Sequence, residues 1–374
     1  MSTVVQFEER QTACGKRLGI ARLDSEKSLN ALSLDMIQQL QPQLDEWAGD
    51  PEIACVWLEG AGEKAFCAGG DIVAMYKAMR DQPGVLVDEV ADFFSQEYRL
   101  DHCIHCYPKP LVIWGDGIVM GGGMGLMNGG SHRIVTERSL LAMPEITIGL
   151  YPDVGATHFL NQMPEGCGLF LGLTGAQINA CDALFLKLAD HFIASSSRDK
   201  ILDALADIQW GETPSLNQQK VSDVLAKCSE ADSKHRPAGQ VEPNHNLIKE
   251  LTAGDELVPV VDAITSLDTD DKWLSRASKT LANGCPMTAH IVWNQLHLGK
   301  DLNLADCFRL ELTLSVKCAT RGDFAEGIRA LLIDKDKQPK WQHDSVADVE
   351  AEEVDEFFTS PWAEDEHPLA DLGH

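Results

Sequence analysis

No stretch of this chain approaches the roughly 18 consecutive apolar residues that a membrane-spanning helix needs. Basic residues are also scarce: 31 Lys and Arg stand against 58 Asp and Glu, for a formal net charge of -27. Nucleic-acid phosphates are held by clustered Lys and Arg, so this balance excludes a nucleic-acid partner. No Lys or Arg follows Lys340, while the tail runs through Glu350, Glu352, Glu353, Asp355, Glu356, Glu364, Asp365 and Glu366. Such a run reads as a solvated helix face or a free tail without a catalytic role. The N-terminus carries Glu8 and Glu9 and lacks both a basic-then-apolar opening and an arginine-rich leader, so a cytoplasmic protein is expected. The 11 cysteines, an odd number without a secretory signal, read as reduced thiols. The cluster His102-Cys103-Ile104-His105-Cys106 lacks the second ligand pair of a structural zinc site. It reads as the close of an amphipathic helix before Pro108, and no metal is expected.

At 374 residues the chain is long enough to bury a sizeable core, with 44% hydrophobic and 24% charged residues. Its first half alternates strand-like apolar runs with helical patterns, the signature of an α/β arrangement. Strands are expected at Leu18–Leu23, Ile53–Leu58, Leu111–Trp114 and Arg133–Thr136. Helices are expected over Ser33–Trp47, with Ser33 as N-cap, and over Val87–Cys106. Lys64–Asp71 reads as a loop entering a helix. After Leu171 the chain becomes mainly helical, with packed helices at Thr288–Leu298 and Asp306–Ala319 and a linker at Asp232–Asn246.

Three stretches carry chemistry. Phe66-Cys67-Ala68-Gly69-Gly70-Asp71 joins a loop to a helix, where small residues let a ligand approach the backbone. Read alone it is an ordinary glycine turn with Asp71 as a cap. Met120-Gly121-Gly122-Gly123-Met124-Gly125-Leu126 follows a strand and places backbone N–H groups at a helix N-terminus, suited to a developing oxyanion. The spacing is not a dinucleotide fingerprint, and no phosphate-binding Lys-Ser or Lys-Thr follows. The third stretch, Ala142 to Ala156, sets Glu145 among Met143, Pro144, Ile146 and Ile148, with Asp153 on a proline turn closed by Gly155. Apolar surroundings raise a carboxyl pKa towards neutrality, as proton exchange requires. A buried Glu satisfied by backbone amides and an Asp capping a helix account for this stretch equally well.

Taken together and in this order, Phe66–Asp71, Gly121–Gly123 and Pro144-Glu145, with Leu29-Asn30-Ala31-Leu32 ahead of them, resemble the enoyl-CoA hydratase/isomerase (crotonase) superfamily. The resemblance implies an α/β fold, a crotonase-like spiral of ββα units with a helical C-terminal region. The division it implies is a spiral core with the active site over residues 1–200, a mainly helical region over 201–345 and an acidic tail over 346–374. It also implies a thioester carbonyl gripped by two main-chain amides, from Gly122 and from the Ala68–Gly70 loop.

One departure selects a branch. Hydratases of this pattern carry a catalytic Glu two residues after the triple glycine, where this chain has Gly125. The fuller pattern includes Phe93-Phe94-Ser95-Gln96-Glu97-Tyr98, Tyr151-Pro152-Asp153-Val154-Gly155 and Arg321-Gly322-Asp323-Phe324-Ala325-Glu326-Gly327. It resembles the branch that hydrolyses 3-hydroxyisobutyryl-CoA, a step of valine catabolism. That resemblance implies Glu145 and Asp153 as catalytic residues and Gly122, Ala68 and Gly70 as the oxyanion hole. Substrate contacts fall to Glu97, Gly122, Glu145 and Asp153. No cofactor is implied, since CoA is part of the substrate. The only partner implied is a small acyl-CoA, with no nucleic acid and no membrane and with room for a homo-oligomer. Lys27, near the CoA side, reads as a solvated lysine. The alternatives are an enoyl-CoA hydratase/isomerase and a CoA-binding protein without catalysis.

Overall fold

Residues 3–373 are described by a computed structural model; the ends of the ranges 1–200 and 346–374 lie outside it. Ten strands occur among the described residues: β1 Val5–Gln11, β2 Arg17–Leu23, β3 Ile53–Gly60, β4 Ala65–Cys67, β5 Leu111–Gly115, β6 Ile118–Met120, β7 His132–Val135, β8 Leu140–Ala142, β9 Ile178–Asn179 and β10 His191–Phe192. They build a six-stranded sheet in the order β1-β2-β3-β5-β7-β10 and a four-stranded sheet in the order β4-β6-β8-β9. Apart from the antiparallel β1–β2 pair, the larger sheet is parallel. Each successive pair, β3–β4, β5–β6 and β7–β8, gives its first strand to the larger sheet and its second to the smaller, and a helix or 3-10 turn follows. This is the ββα spiral. Sequence periodicity finds the long buried strands but reads β4 as loop and passes over β6, β8, β9 and β10, which are only two or three residues long.

The chain forms two compact units that interleave along the sequence. The first comprises the chain up to Gly70, Leu100–Leu141 and Ile178–Glu242; the second comprises Asp71–Arg99, Ala142–Gln177 and the chain from Pro243 onward.

In the first unit, strand alternation assigns the two faces of the large sheet. Leu18, Ile20, Cys55, Trp57, Val112, Trp114 and Ile134 share one core with Ile201, Leu202 and Leu205 of helix Arg198–Ala206 and Val221 and Leu225 of helix Pro214–Asp232. Gly19, one residue out of phase, meets the helix Leu34–Gly49: a Cβ there would lie 2.7 Å from the Trp47 ring. That helix buries Met36, Ile37, Leu40, Leu44 and Trp47, and Ser33 is its N-cap as the sequence predicts, accepting from the Met36 amide at 3.2 Å. Glu59 shares the face of Trp57 and is buried, yet it is fully partnered. It accepts from Trp57 Nε1 at 2.9 Å, from Arg22 Nε at 2.6 Å, and from Arg198 Nε and a terminal Arg198 nitrogen at 2.6 Å each. Burial works against its charge, but these donors prevail and hold its carboxyl below the ordinary range.

The second unit is helical. Its helices include Pro286–Gly299 and Leu304–Arg321, each slightly longer than the periodicity predicts. The expected linker at 232–246 is partly helical, because Val241–Thr252 forms a helix whose Val241 and Ile248 are buried. The acidic tail is not free. Helix Ala351–Phe357 buries Val354 and Phe357, Leu369 is fully buried, and Arg99 and Arg309 donate to the carbonyls of Pro368 and Leu369.

Replacing Glu59 by Gln removes the counter-charge of Arg22 and leaves Arg198 only its exposed partner Asp199. An expected loss of about 2–3 kcal/mol at pH 7 follows, at the modest end because both arginines are partly solvated. The folded pKa is depressed, so the ionised group stabilises the fold above its unfolded value of ~4.3, and this is lost as pH falls through the folded value. Urea melts of both proteins should therefore differ at pH 7 and draw together as acidification carries Glu59 through its depressed folded value.

Candidate active site

Two sets of groups stand out, one in each unit. In the first unit, β4 runs parallel to β6, so the loops that follow them leave the sheet side by side. Their approach is close: a Cβ on Gly123 would lie 2.2 Å from the Cys67 carbonyl oxygen, so only glycine fits. Gly121 has φ 48 and precedes helix Gly122–Asn128. The Met124 amide makes the first bond of that helix, to the Gly121 carbonyl at 2.7 Å. Gly122 and Gly123 come before this bond, at positions whose amides have no acceptor within the helix. At seven residues the helix is short, so the individual amides matter more here than a helix dipole.

The partner loop is tied down from one side. The Leu32 amide donates to the Gly69 carbonyl at 2.8 Å, and the Ala68 amide donates to the Leu29 carbonyl at 3.1 Å. Ala68, expected as an oxyanion donor, thus has its N–H committed to the Leu29–Leu32 loop. Asn30 fixes that loop. Fully buried and at φ 55, it donates from Nδ2 to the carbonyls of Ala61 and Ala65, each at 2.9 Å, and accepts from the Ser25 amide at 3.0 Å. Lys27 sits exposed on the 3-10 turn Glu26–Ser28.

The second unit brings together the three expected carboxyl groups. Glu97 lies on helix Asp88–His105, Glu145 opens the 3-10 turn Glu145–Thr147, and Asp153 follows Tyr151-Pro152. All three are 2–4% exposed. Burial pushes Glu97 and Glu145 well above the ordinary glutamate range, and the negative charge of Asp153 adds to both; Glu97 also feels Glu145. Burial pushes Asp153 up to about 6, against a lowering hydrogen bond from Tyr98. The Oε2 atom of Glu145 is buried and has no hydrogen-bond partner in the chain. An unsatisfied buried carboxyl oxygen costs stability, and groups perturbed in this way cluster at functional sites.

Close backbone packing shapes the turn that presents Glu145. A Cβ on Gly149, at φ 69, would lie 2.5 Å from the Asp323 backbone, and one on Gly327 would lie 2.3 Å from that of Ile148. The sequence resemblance at Arg321–Gly327 therefore marks a support for the Glu145 turn.

Four supporting residues escape the sequence reading. Tyr98 hydroxyl donates to Asp153 Oδ2 at 2.7 Å and lies 2.6 Å from Ser315 Oγ. Ser315 Oγ is 2.8 Å from the Tyr151 hydroxyl, which donates to the Glu311 carbonyl at 2.5 Å. The Glu311 carboxylate accepts from the Gly155 and Thr157 amides at 2.7 and 2.8 Å, capping helix Ala156–Asn161 immediately after Asp153. Between them stands Val154 at φ 54, a strained conformation for a β-branched residue that these contacts hold in place. Burial pushes Glu311 up to about 8. The one available sequence signal was Glu311 itself, a lone carboxylate among Phe308, Leu312 and Leu314 on a helix face.

Among the described residues, no group of three or more His, Cys, Asp or Glu is placed to hold a metal ion, and no helix is long and apolar enough to cross a membrane.

Known proteins resemble the chain in sequence and in fold. The zebrafish (Danio rerio) protein "3-hydroxyisobutyryl-CoA hydrolase, mitochondrial" is 37% identical over 92% of this chain and 87% of its own length. A crystal structure of a carnitinyl-CoA dehydratase from Mycobacterium thermoresistibile superposes with a TM-score of 0.84 at 30% identity, covering 98% of this chain and 99% of that one. An enoyl-CoA hydratase from Rhodobacter sphaeroides gives 0.81 at 32%, covering 95% and 97%. The pattern of the enoyl-CoA hydratase/isomerase family matches residues 18–358, and the chain belongs to that family.

Proposed function

We propose that this chain hydrolyses a short 3-hydroxyacyl-CoA thioester, 3-hydroxyisobutyryl-CoA to 3-hydroxyisobutyrate and free CoA, as a step of valine catabolism. The observation that carries the reading is a buried glutamate, Glu145, with an unpartnered oxygen, in a chain that has Gly125 where the resembling hydratases have a second glutamate. Addition of water across a carbon–carbon double bond in the family manner uses both carboxyl groups, whereas hydrolysis of a thioester needs one. The name of the zebrafish relative supports the same choice.

In this reading the amides of Gly122 and Gly70 stabilise the carbonyl oxygen. Gly70 takes the role in its loop because the Ala68 amide is already bonded to Leu29. Glu145 either attacks the carbonyl carbon or draws a proton from a water that attacks it directly. In the first route CoA thiolate is expelled and an anhydride is left, which water then cleaves to the free acid and Glu145. In the second the C–S bond breaks after the water has added. In both routes the thiolate leaves with the electron pair of the C–S bond and takes up a proton. Asp153 exchanges a proton or holds the substrate hydroxyl, and Glu97 bounds the acyl group. No cofactor takes part. All eleven cysteines are free, which suits a reducing compartment; the cytoplasm is the assignment proposed here, although the zebrafish relative is named as mitochondrial.

Glu145→Gln should lower thiol release by at least ~100-fold while leaving thermal stability equal or higher, because it removes a buried unsatisfied acid. A thiol-release assay beside a melting curve reads both, and full activity in the variant would refute the assignment. Glu145 works as its anion and its pKa is raised, so activity should fall away on acidification well above the usual glutamate range. Crotonyl-CoA provides the second test: its conjugated absorbance should persist with the enzyme present. Its loss at a rate matching thiol release from 3-hydroxyisobutyryl-CoA would favour the hydratase instead.

A further inference from the structure

The acid-base pair of the proposed reaction differs in one respect: Glu145 has a bare oxygen, whereas Asp153 is gripped. The grip is a line of hydroxyls running from Asp153 Oδ2 through Tyr98 and Ser315 to Tyr151, and it ends on the main-chain carbonyl of Glu311. All four side chains are buried. They come from three separate segments: helix Asp88–His105, the turn before Val154 and helix Leu304–Arg321.

We propose that Tyr98 is a positioning residue for Asp153: its hydroxyl, backed by Ser315 and Tyr151, fixes one carboxyl oxygen and thereby the direction in which the other faces the substrate. This role rests on the proposed hydrolysis, in which Asp153 meets the 3-hydroxyacyl group.

Proton counting shows why the line suits a group that changes its charge. Four oxygen–oxygen contacts share three hydroxyl protons. With Asp153 ionised, Tyr98 must donate to it, and one contact further along lacks a proton. A proton on Asp153 Oδ2 would supply the fourth, and every hydroxyl could then point towards the Glu311 carbonyl. Both states have a defined arrangement, so Asp153 can gain or lose a proton without moving. The ionised state depends on Tyr98 more, because a hydrogen bond to a charged acceptor is about twice as strong as a neutral one.

The other titratable groups facing Asp153 supply no counter-charge. Glu97 and Glu145 are acidic, as is Glu311 behind the turn, and Tyr151 and the Cys318 thiol are held neutral by burial. Tyr98 is the side chain that donates to the anion.

The test compares wild type with Tyr98→Phe, which keeps the ring and removes only the hydroxyl. Hydrolysis of 3-hydroxyisobutyryl-CoA should show kcat reduced about tenfold or more with KM changed far less. The limb of the pH profile that belongs to Asp153 should move upward by about one pH unit. Infrared titration of the substrate-free enzyme, with Asp153→Asn identifying the Asp153 carboxyl band, should show the same upward movement without turnover. That measurement separates the two readings: the band can move in an enzyme that hydrolyses nothing, which would sink the function but keep the grip. Ser315→Ala retains Tyr98 and should shift the band in the same direction by less, so it serves if the phenylalanine variant does not fold. An Asp153 titration unmoved in whichever variants fold overturns the proposal.

Discussion

Burying three carboxyl groups together is the constraint around which the second unit is organised. Removing a carboxylate from water costs several kcal/mol unless charge or hydrogen bonds offset it. Glu59, in the first unit, shows the usual solution: two guanidinium groups and an indole surround it, and its pKa falls. Glu97, Glu145 and Asp153 are equally buried but have no counter-charge: burial raises all three pKa values, and the charge of Asp153 adds to the rise of both glutamates. The same carboxyl chemistry is thus tuned in opposite directions by its neighbours. An ion-paired glutamate is inert and structural; one that is buried without a counter-ion can exchange protons near neutrality.

The surrounding scaffold tolerates this cluster by spending other polar groups on its frame. Glu311 secures the helix that follows Asp153, and the Tyr98–Ser315–Tyr151 line secures Asp153 itself. The scarce arginines serve local acids. Arg329 holds Glu326, Asp334 and Asp336 together, while Arg99 and Arg309 bind the C-terminal segment. The large negative charge is therefore partly neutralised where it folds the chain, and the acidic tail is a structural piece rather than a solvated appendage.

Legibility followed distance along the chain. The α/β class, helices such as Leu34–Gly49 and Asp88–His105 and the buried strands β2, β3 and β5 are local patterns, and Ser33 capping is a three-residue relation; these were read directly, whereas the mostly exposed β1 and the helix Pro214–Asp232 were not. Glu97, Glu145 and Asp153 were legible through motifs of a few residues each. Strands of two or three residues carry too little periodicity to register, which hid β4, β6 and β8–β10. The contacts of Tyr98, Ser315 and Glu311 were illegible for another reason. Tyr98 meets Ser315 across 217 residues, and Glu311 meets Gly155 across 156, so no local window contains the pair. Ala68 was misread as a donor because its partner, Leu29, lies far upstream in another loop.

Fold alone does not choose between adding water to a double bond and cleaving a thioester. Solved relatives titled as a hydratase and a dehydratase share this architecture over nearly its whole length, and the zebrafish relative is named a hydrolase. Both reactions begin with a thioester carbonyl whose oxygen is stabilised by main-chain amides, so the glycine loops are common property. What separates them is where the carboxyl groups can work. In the proposed reading the glutamate that the resembling hydratases carry at position 125 is the base this chain lacks, and Glu145 is the carboxyl left for the thioester. In that reading the choice of reaction rests on one absent side chain, and its conditions rest on a buried Glu145 whose Oε2 has no partner and on an Asp153 that Tyr98 holds.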